Sequence, residues 1–348
     1  MPEFVHDISA DRRFSREILP RVSRTFALNI RLLRGTMGDS VRLAYLLCRA
    51  ADALEDSWPG AAEDIRQRFE RFTSALAGDG SAAAALASRA DSVADGRDDL
   101  VLVARLPRLL RLLAALPAAH RAALVEGVTV LASGMSRYAA RAAARPAGAA
   151  YLDDETELDD YCWVVAGCVG VMLTRLFEAD HGAGDATTAR RRLELAPIVG
   201  RALQLTNILL DWPQDVRRGR CYLPASWLAE HGLAAADLVG SDRPAVRALA
   251  ERLAARARDA LARVPDYLDL IPARQVRYRL FCLWPALWAR ASLRVAMADP
   301  EFPWGPRRPR ISRAELLRTS LGSLLTIHRP DTMRWLYRSI APTRGAAG

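Results

Sequence analysis

Residues Tyr45–Ser57 read YLLCRAADALEDS, an apolar run broken on one side by charge. Tyr45, Arg49, Asp52 and Glu55 recur at helical steps and so share one stripe, and Asp52 and Asp56 lie one turn apart. Two carboxylates one turn apart repel by a few tenths of a kcal/mol when merely solvated. That repulsion favours a cation between them; the plain alternative for DxxED is a wet helix surface.

A second stretch, LQLTNILLDWPQDVRRGRCYLP from Leu203, repeats the theme. Gln204, Asn207, Asp211 and Asp215 form a polar stripe among Leu203, Leu205, Ile208, Leu209 and Leu210. Carboxylates and amides on so apolar a helix need partners, and Mg²⁺ with a diphosphate supplies them. Two such helices facing each other would hold the metal and, through it, a substrate diphosphate. Pro213 lacks an N–H and crowds the preceding turn, which predicts a kink or helix end near Trp212. Arg217, Arg218 and Arg220 follow, either as donors to the same diphosphate or as a solvated turn.

Helical spacing of apolar residues extends almost everywhere else, as in Leu102, Leu106, Leu109 and Leu113, with no alternating strand pattern. Breaks fall at Trp58–Gly60, Ala77–Ser81, the ARPAGAAYLDD run from Ala144, His181–Asp185, and the Pro-rich DPEFPWGPRRP from Asp299. None has the length of an interdomain linker. The pattern predicts an all-α chain with one large helical domain over 1–342 and a flexible tail at 343–348.

The chain has 348 residues, 51% of them hydrophobic, and a net charge of +9 in which every basic residue is Arg. Planar guanidinium donors suit phosphates or an anionic surface, although codon bias gives the same composition. Nucleic-acid binding would gather the arginines on one face; here they are scattered among acids, which argues against it. The five cysteines form no CxxC pair and read as small buried hydrophobes. MPEFVHDISADRRF has no apolar core of a secretory leader, giving a cytoplasmic expectation. The longest uncharged apolar run, YCWVVAGCVGVMLT from Tyr161, falls short of a bilayer span, so membrane contact is expected to be peripheral at most.

Four blocks in order, SRTFALNI from Ser23, YLLCRAADALEDS, YCWVVAGCVG from Tyr161 and the Leu203 stretch, closely resemble the squalene and phytoene synthase family. A fifth, FCLWPALWA from Phe281, is more similar to squalene synthases. The resemblance implies an isoprenoid-synthase fold around a central cavity. It also implies a squalene synthase that joins two farnesyl diphosphates through presqualene diphosphate, with Mg²⁺ and NADPH; a phytoene, dehydrosqualene or presqualene diphosphate synthase, or a related terpene synthase, is the alternative.

By the same resemblance Asp52, Asp56, Asp211 and Asp215 bind metal, while Tyr45 and Tyr161 are tied to the reaction. Ser23, Arg24, Arg49 and Arg220 contact diphosphate, and Phe26, Val165, Gln204, Asn207, Arg217, Arg218 and Phe281 complete the substrate set. Ser23 also reads as a helix N-cap. Gly167 and Gly170 read as a prenyl-tunnel wall or as tight helix packing. Phe281, Trp284 and Trp288 read as cation-stabilising faces or core. Leu210 stands where many members carry Arg, and Gln214 where Glu usually precedes the last aspartate. Arg217 or Arg218 is expected to compensate.

Overall fold

The computed structural model describes residues 8–340 apart from Pro59 and Ala147. The first seven residues, read above for a leader, and the tail assigned to 343–348 lie outside the described residues. The fold is all-α, 77% helical, and helices end at each of the sequence breaks named above. Two compact units divide it, one formed by residues 1–143 with 171–183, the other by 144–170 with 184–348.

In the first unit the helix Gly35–Asp56 buries Leu43, Leu46, Leu47, Ala50, Ala51, Ala53 and Leu54. Tyr45, Arg49 and Asp52 are only half-buried and Asp56 is exposed. The apolar face is thus committed to the core and the predicted stripe is left reachable.

In the second unit the helix Ala186–Arg217 runs unbroken through both Pro197 and Pro213. Of the kink or helix end expected near Trp212, the helix end is corrected, since the helix runs on to Arg217. Burial of Trp212 and Pro213, together with an indole N–H donated to the Leu238 carbonyl at 3.1 Å, holds this stretch helical despite the missing donor. It ends instead in a Schellman turn, where Gly219 takes φ +77° and the Arg220 N–H reaches the Asp215 carbonyl at 2.8 Å.

Two short parallel strands, Ala150–Leu152 and Cys221–Pro224, went unpredicted because three or four residues are too few to show alternation. The helix Glu155–Cys162 continues through a π-helical turn at Trp163–Gly167, a form common at functional sites.

Gly167, Gly170 and Gly200 let backbones meet. A Cβ on Gly170 would lie 2.2 Å from the Ala196 carbonyl oxygen, and one on Gly200 2.2 Å from that of Ala166. Of the two readings offered for Gly167 and Gly170, close helix packing is what the structure shows.

The continuous helices Glu155–His181 and Ala186–Arg217 are long and apolar enough, by length and composition, to cross a bilayer. The uncharged run from Tyr161 still stops short of that length; a helical window that tolerates two charges reaches it. About half of each window is buried in the protein, so core packing accounts for much of this hydropathy.

Gly170→Ala should destabilise the protein by about 1–3 kcal/mol through overpacking. Thermal denaturation checks this, and an unchanged midpoint would contradict the packing role.

Candidate active site

The first acidic helix holds its carboxylates with arginine and a residue the sequence did not point to. Asp99, from the helix Asp98–Ala104, accepts from Arg49 Nε at 3.1 Å and Nη2 at 2.7 Å, and from Ser57 Oγ at 3.1 Å. The same guanidinium lies 3.6 Å from Asp52. Burial disfavours the Arg49 charge, but Asp99 and Asp52 outweigh it and hold its pKa up.

Burial pushes the Asp52 carboxyl up to about 7, opposed by Arg49 and reinforced by Asp56 and Asp99. Its side chain nevertheless keeps 39% exposure, so a cation can reach a carboxylate that the protein around it leaves poorly solvated. The only hint of Asp99 in the sequence was the acidic pair in GRDDL, which no helical stripe had singled out.

Beside this group, Ser23 caps the helix Arg24–Ile30, its hydroxyl accepting from the Phe26 N–H at 3.3 Å. The N-cap reading thus holds, and the hydroxyl also interacts with the Tyr45 phenol. Burial raises the Tyr45 pKa, so the phenol stays protonated at neutral pH. Phe26, 40% exposed, stacks on Tyr45 with centroids 5.1 Å apart, and Arg24 is exposed at the first position of its helix.

The second acidic helix carries Gln204, Asp211 and Asp215 half-buried and Asn207 exposed, whereas Leu205, Ile208, Leu209 and Leu210 are buried. Leu210 therefore faces the core. Arg308, from the Pro-rich loop, sits 2.9 Å from Asp211. Burial raises the Asp211 pKa against the opposing charges of Arg308, Arg218 and Arg310.

Arg217 is occupied elsewhere. It donates to the Pro213 carbonyl and, at 2.7 Å, to that of Trp304, which ties the loop carrying Arg308 to the helix. Asp215 and Arg220 line a small cleft with Ile208, Trp212 and Tyr222. The run GPRRPR was read only as an extended loop, so Arg308 and Arg310 were missed.

The strand pair explains a further group. Tyr161 stacks on Tyr222 with centroids 5.1 Å apart, and Tyr151 meets Tyr222 edge-on at 5.3 Å. Val165 is half-buried in the π-helical turn. Phe281 is buried and stacks on Tyr278 at 6.1 Å. Trp284 and Trp288 are buried, their indole N–H groups donating to Ser323 at 2.9 Å and Ser320 at 3.2 Å. These two tryptophans are core aromatics.

Among the described residues no three His, Cys, Asp or Glu side chains converge as a metal cage. Reachable carboxylate pairs one turn apart suit Mg²⁺ all the same, because that ion commonly takes one or two carboxylates and completes its shell with water and phosphate. Asp56 and Asp99 place like charge beside Asp52, which such a cation would offset.

The chain is all-α and carries an aspartate pair one turn apart on each of two long helices, with Asp52 and Asp211 the desolvated member of each, on an isoprenoid-synthase type of fold. The squalene/phytoene synthase family profile matches residues 19–315, and the chain belongs to that family. A 15-cis-phytoene synthase of Enterobacter agglomerans is 44% identical over 100 residues, 28% of this chain and 31% of that protein. A squalene synthase of Mycosarcoma maydis is 27% identical over 301 residues, 81% of this chain and 50% of that one. The matched segments thus span a third to a half of these relatives.

Among solved structures, TcSQS with a bound ligand superposes at a TM-score of 0.73 with 22% identity, covering 95% of this chain and 90% of that one. A dehydrosqualene synthase complex gives a TM-score of 0.59 with 21% identity over 92% and 98%. At these identities the two structures speak for the fold.

Asp52 also sets a pH dependence. Its folded pKa lies above the ordinary value of 3.8, so between that value and about 7 the native state holds a proton that the unfolded chain has released. The protonated form stabilises fully below the lower value, and the benefit is lost as pH rises through the upper one. In EDTA the melting midpoint of wild type, taken relative to that of Asp52→Asn, should fall as pH rises through this window; equal slopes in both proteins would contradict the assignment.

Proposed function

We propose that the chain is a squalene synthase, converting two farnesyl diphosphates through presqualene diphosphate to squalene. The observation that carries this reading is a desolvated aspartate with a guanidinium beside it, and a second aspartate one turn on, in each acidic helix. Asp52, Asp56, Asp211 and Asp215 would hold Mg²⁺, which when bound supplies charge neutralisation of the diphosphate leaving group.

The chain's own residues do the rest. Ser23, Arg24, Arg49, Arg218 and Arg220 offer donors to phosphate oxygens, as does Arg308 once Asp211 takes a cation; Arg217 keeps that loop in place. As the allylic C–O bond breaks, the carbon is attacked by the second chain's double bond, and loss of a proton closes the cyclopropane. The faces of Phe26, Tyr45 and Tyr161 stabilise positive charge on carbon. Val165, Gln204, Asn207 and Phe281 line the path of substrate. Positioning and exclusion of water account for the protein's share of the rate.

Reduction to squalene would consume NADPH as a co-substrate. The chain has no GxGxxG after a strand, since GAGDAT from Gly182 lacks the third glycine. The enzyme would work in the cytoplasm and release its hydrocarbon to a lipid phase.

A second reading, in which the chain makes phytoene or dehydrosqualene or stops at presqualene diphosphate, draws support from the phytoene synthase match. It is also favoured by 36% identity over 138 residues to a presqualene diphosphate synthase of Zymomonas mobilis. Incubation with farnesyl or geranylgeranyl diphosphate and Mg²⁺, with and without NADPH, followed by mass spectrometry of the products, separates the readings. Squalene formed only with NADPH supports the first, whereas phytoene, or presqualene diphosphate unchanged by NADPH, overturns it. Asp52→Ala and Asp211→Ala should each lower turnover by about a hundred- to a thousandfold if transition-state charge rests on them; near-normal activity would refute the metal assignment.

A further inference from the structure

The helix Arg313–Thr326 is turned inside out. Its buried residues are Thr319, Ser320 and Ser323, and two of these hydroxyls accept the indole N–H groups of Trp288 and Trp284. Four of its five leucines point away from the protein: Leu317 is 57% exposed, Leu321 60%, Leu324 42% and Leu325 86%, while Leu316 is half-buried. A helix of a globular domain normally does the reverse, and contiguous exposed apolar surface of this kind marks an interaction site.

At 100° per residue the four leucines occupy an arc of about 100°, with Arg313 and Arg318 just outside its two edges. Both arginines are exposed. The helix Pro330–Ser339, which packs against the first, adds Trp335 at 68% exposure, and exposed Arg329 and Arg338 lie at its two ends. Of the acids here, Glu315 is turned inward onto Arg294 and lies 4.0 Å from Arg318 at its outer side, and Arg334 is paired with Asp266 and Asp269. Asp331 is the exposed exception.

We propose that the helices Arg313–Thr326 and Pro330–Ser339 form a docking surface for an anionic lipid bilayer, the leucines entering the acyl boundary and the arginines meeting the headgroups. Charge selects this occupant. A two-fold contact with a second copy would set the arginine-edged leucine face against itself, whereas anionic headgroups complement an apolar face edged with Arg. Exposed Trp is also the residue type that settles at the membrane–water boundary. The test of this surface does not depend on which product the enzyme makes.

The full chain should co-sediment with vesicles of phosphatidylcholine mixed with phosphatidylglycerol and bind pure phosphatidylcholine much less. Leu321→Glu with Leu325→Glu should weaken binding by roughly tenfold or more, and the milder Leu321→Gln with Leu325→Gln should weaken it less, with helicity and melting unchanged. Arg313→Gln with Arg318→Gln should reduce the preference for the anionic vesicles, as should high salt. Equal sedimentation of wild type and both leucine variants would overturn the proposal. So would a wild-type dimer, seen without vesicles, that the leucine variants convert to monomer.

Discussion

A carboxylate set into an apolar helix has to be held by an opposite charge, and much of this protein's functional architecture follows from that constraint. Asp52 and Asp211 both sit among buried leucines, and burial raises both of their pKa values. Each is met by a guanidinium. Arg49 reaches Asp52 along the same helix and is steadied by Asp99, whereas Arg308 reaches Asp211 from a loop tied down through Arg217. Desolvation strengthens every such interaction and makes it costly to leave unmade.

The two acidic helices solve this problem unequally. On the first, Arg49 is shared between Asp99 and Asp52, so a cation would complete a network already partly neutralised. On the second, Leu210 faces the core, and the positive charge beside Asp211 comes from Arg308, Arg218 and Arg310. The family departure noted at Leu210 is thus matched by charge brought from far along the chain. Tyrosines are positioned by different means again: Tyr45 by a capping serine and a stacked phenylalanine, Tyr161 by a strand pair that brings Tyr222 against it.

The helical class, the break points and both aspartate stripes were legible because each depends on local periodicity. Pro213 misled because a proline's local penalty was set against burial of Trp212 and its indole hydrogen bond, which no local pattern displays. Asp99 and Arg308 were invisible for a related reason: each acts on a residue about 50 or 100 positions away, and neither sits in a motif. The two strands were too short to alternate. The glycines at 167 and 170 were ambiguous until their neighbours at Ala196 and Pro197 were in place. The outward leucines of Arg313–Thr326 have ordinary helical spacing, and the sequence does not state which face is turned to the protein.

The central claim is that the aspartate pairs bind diphosphate through divalent metal. Calorimetric titration of inorganic diphosphate into the protein tests it most directly, with and without Mg²⁺, for wild type, Asp52→Asn and Asp211→Asn. The account predicts binding that requires Mg²⁺ and is weakened by either substitution. Diphosphate binding of equal strength in EDTA, or unchanged in both variants, would contradict it.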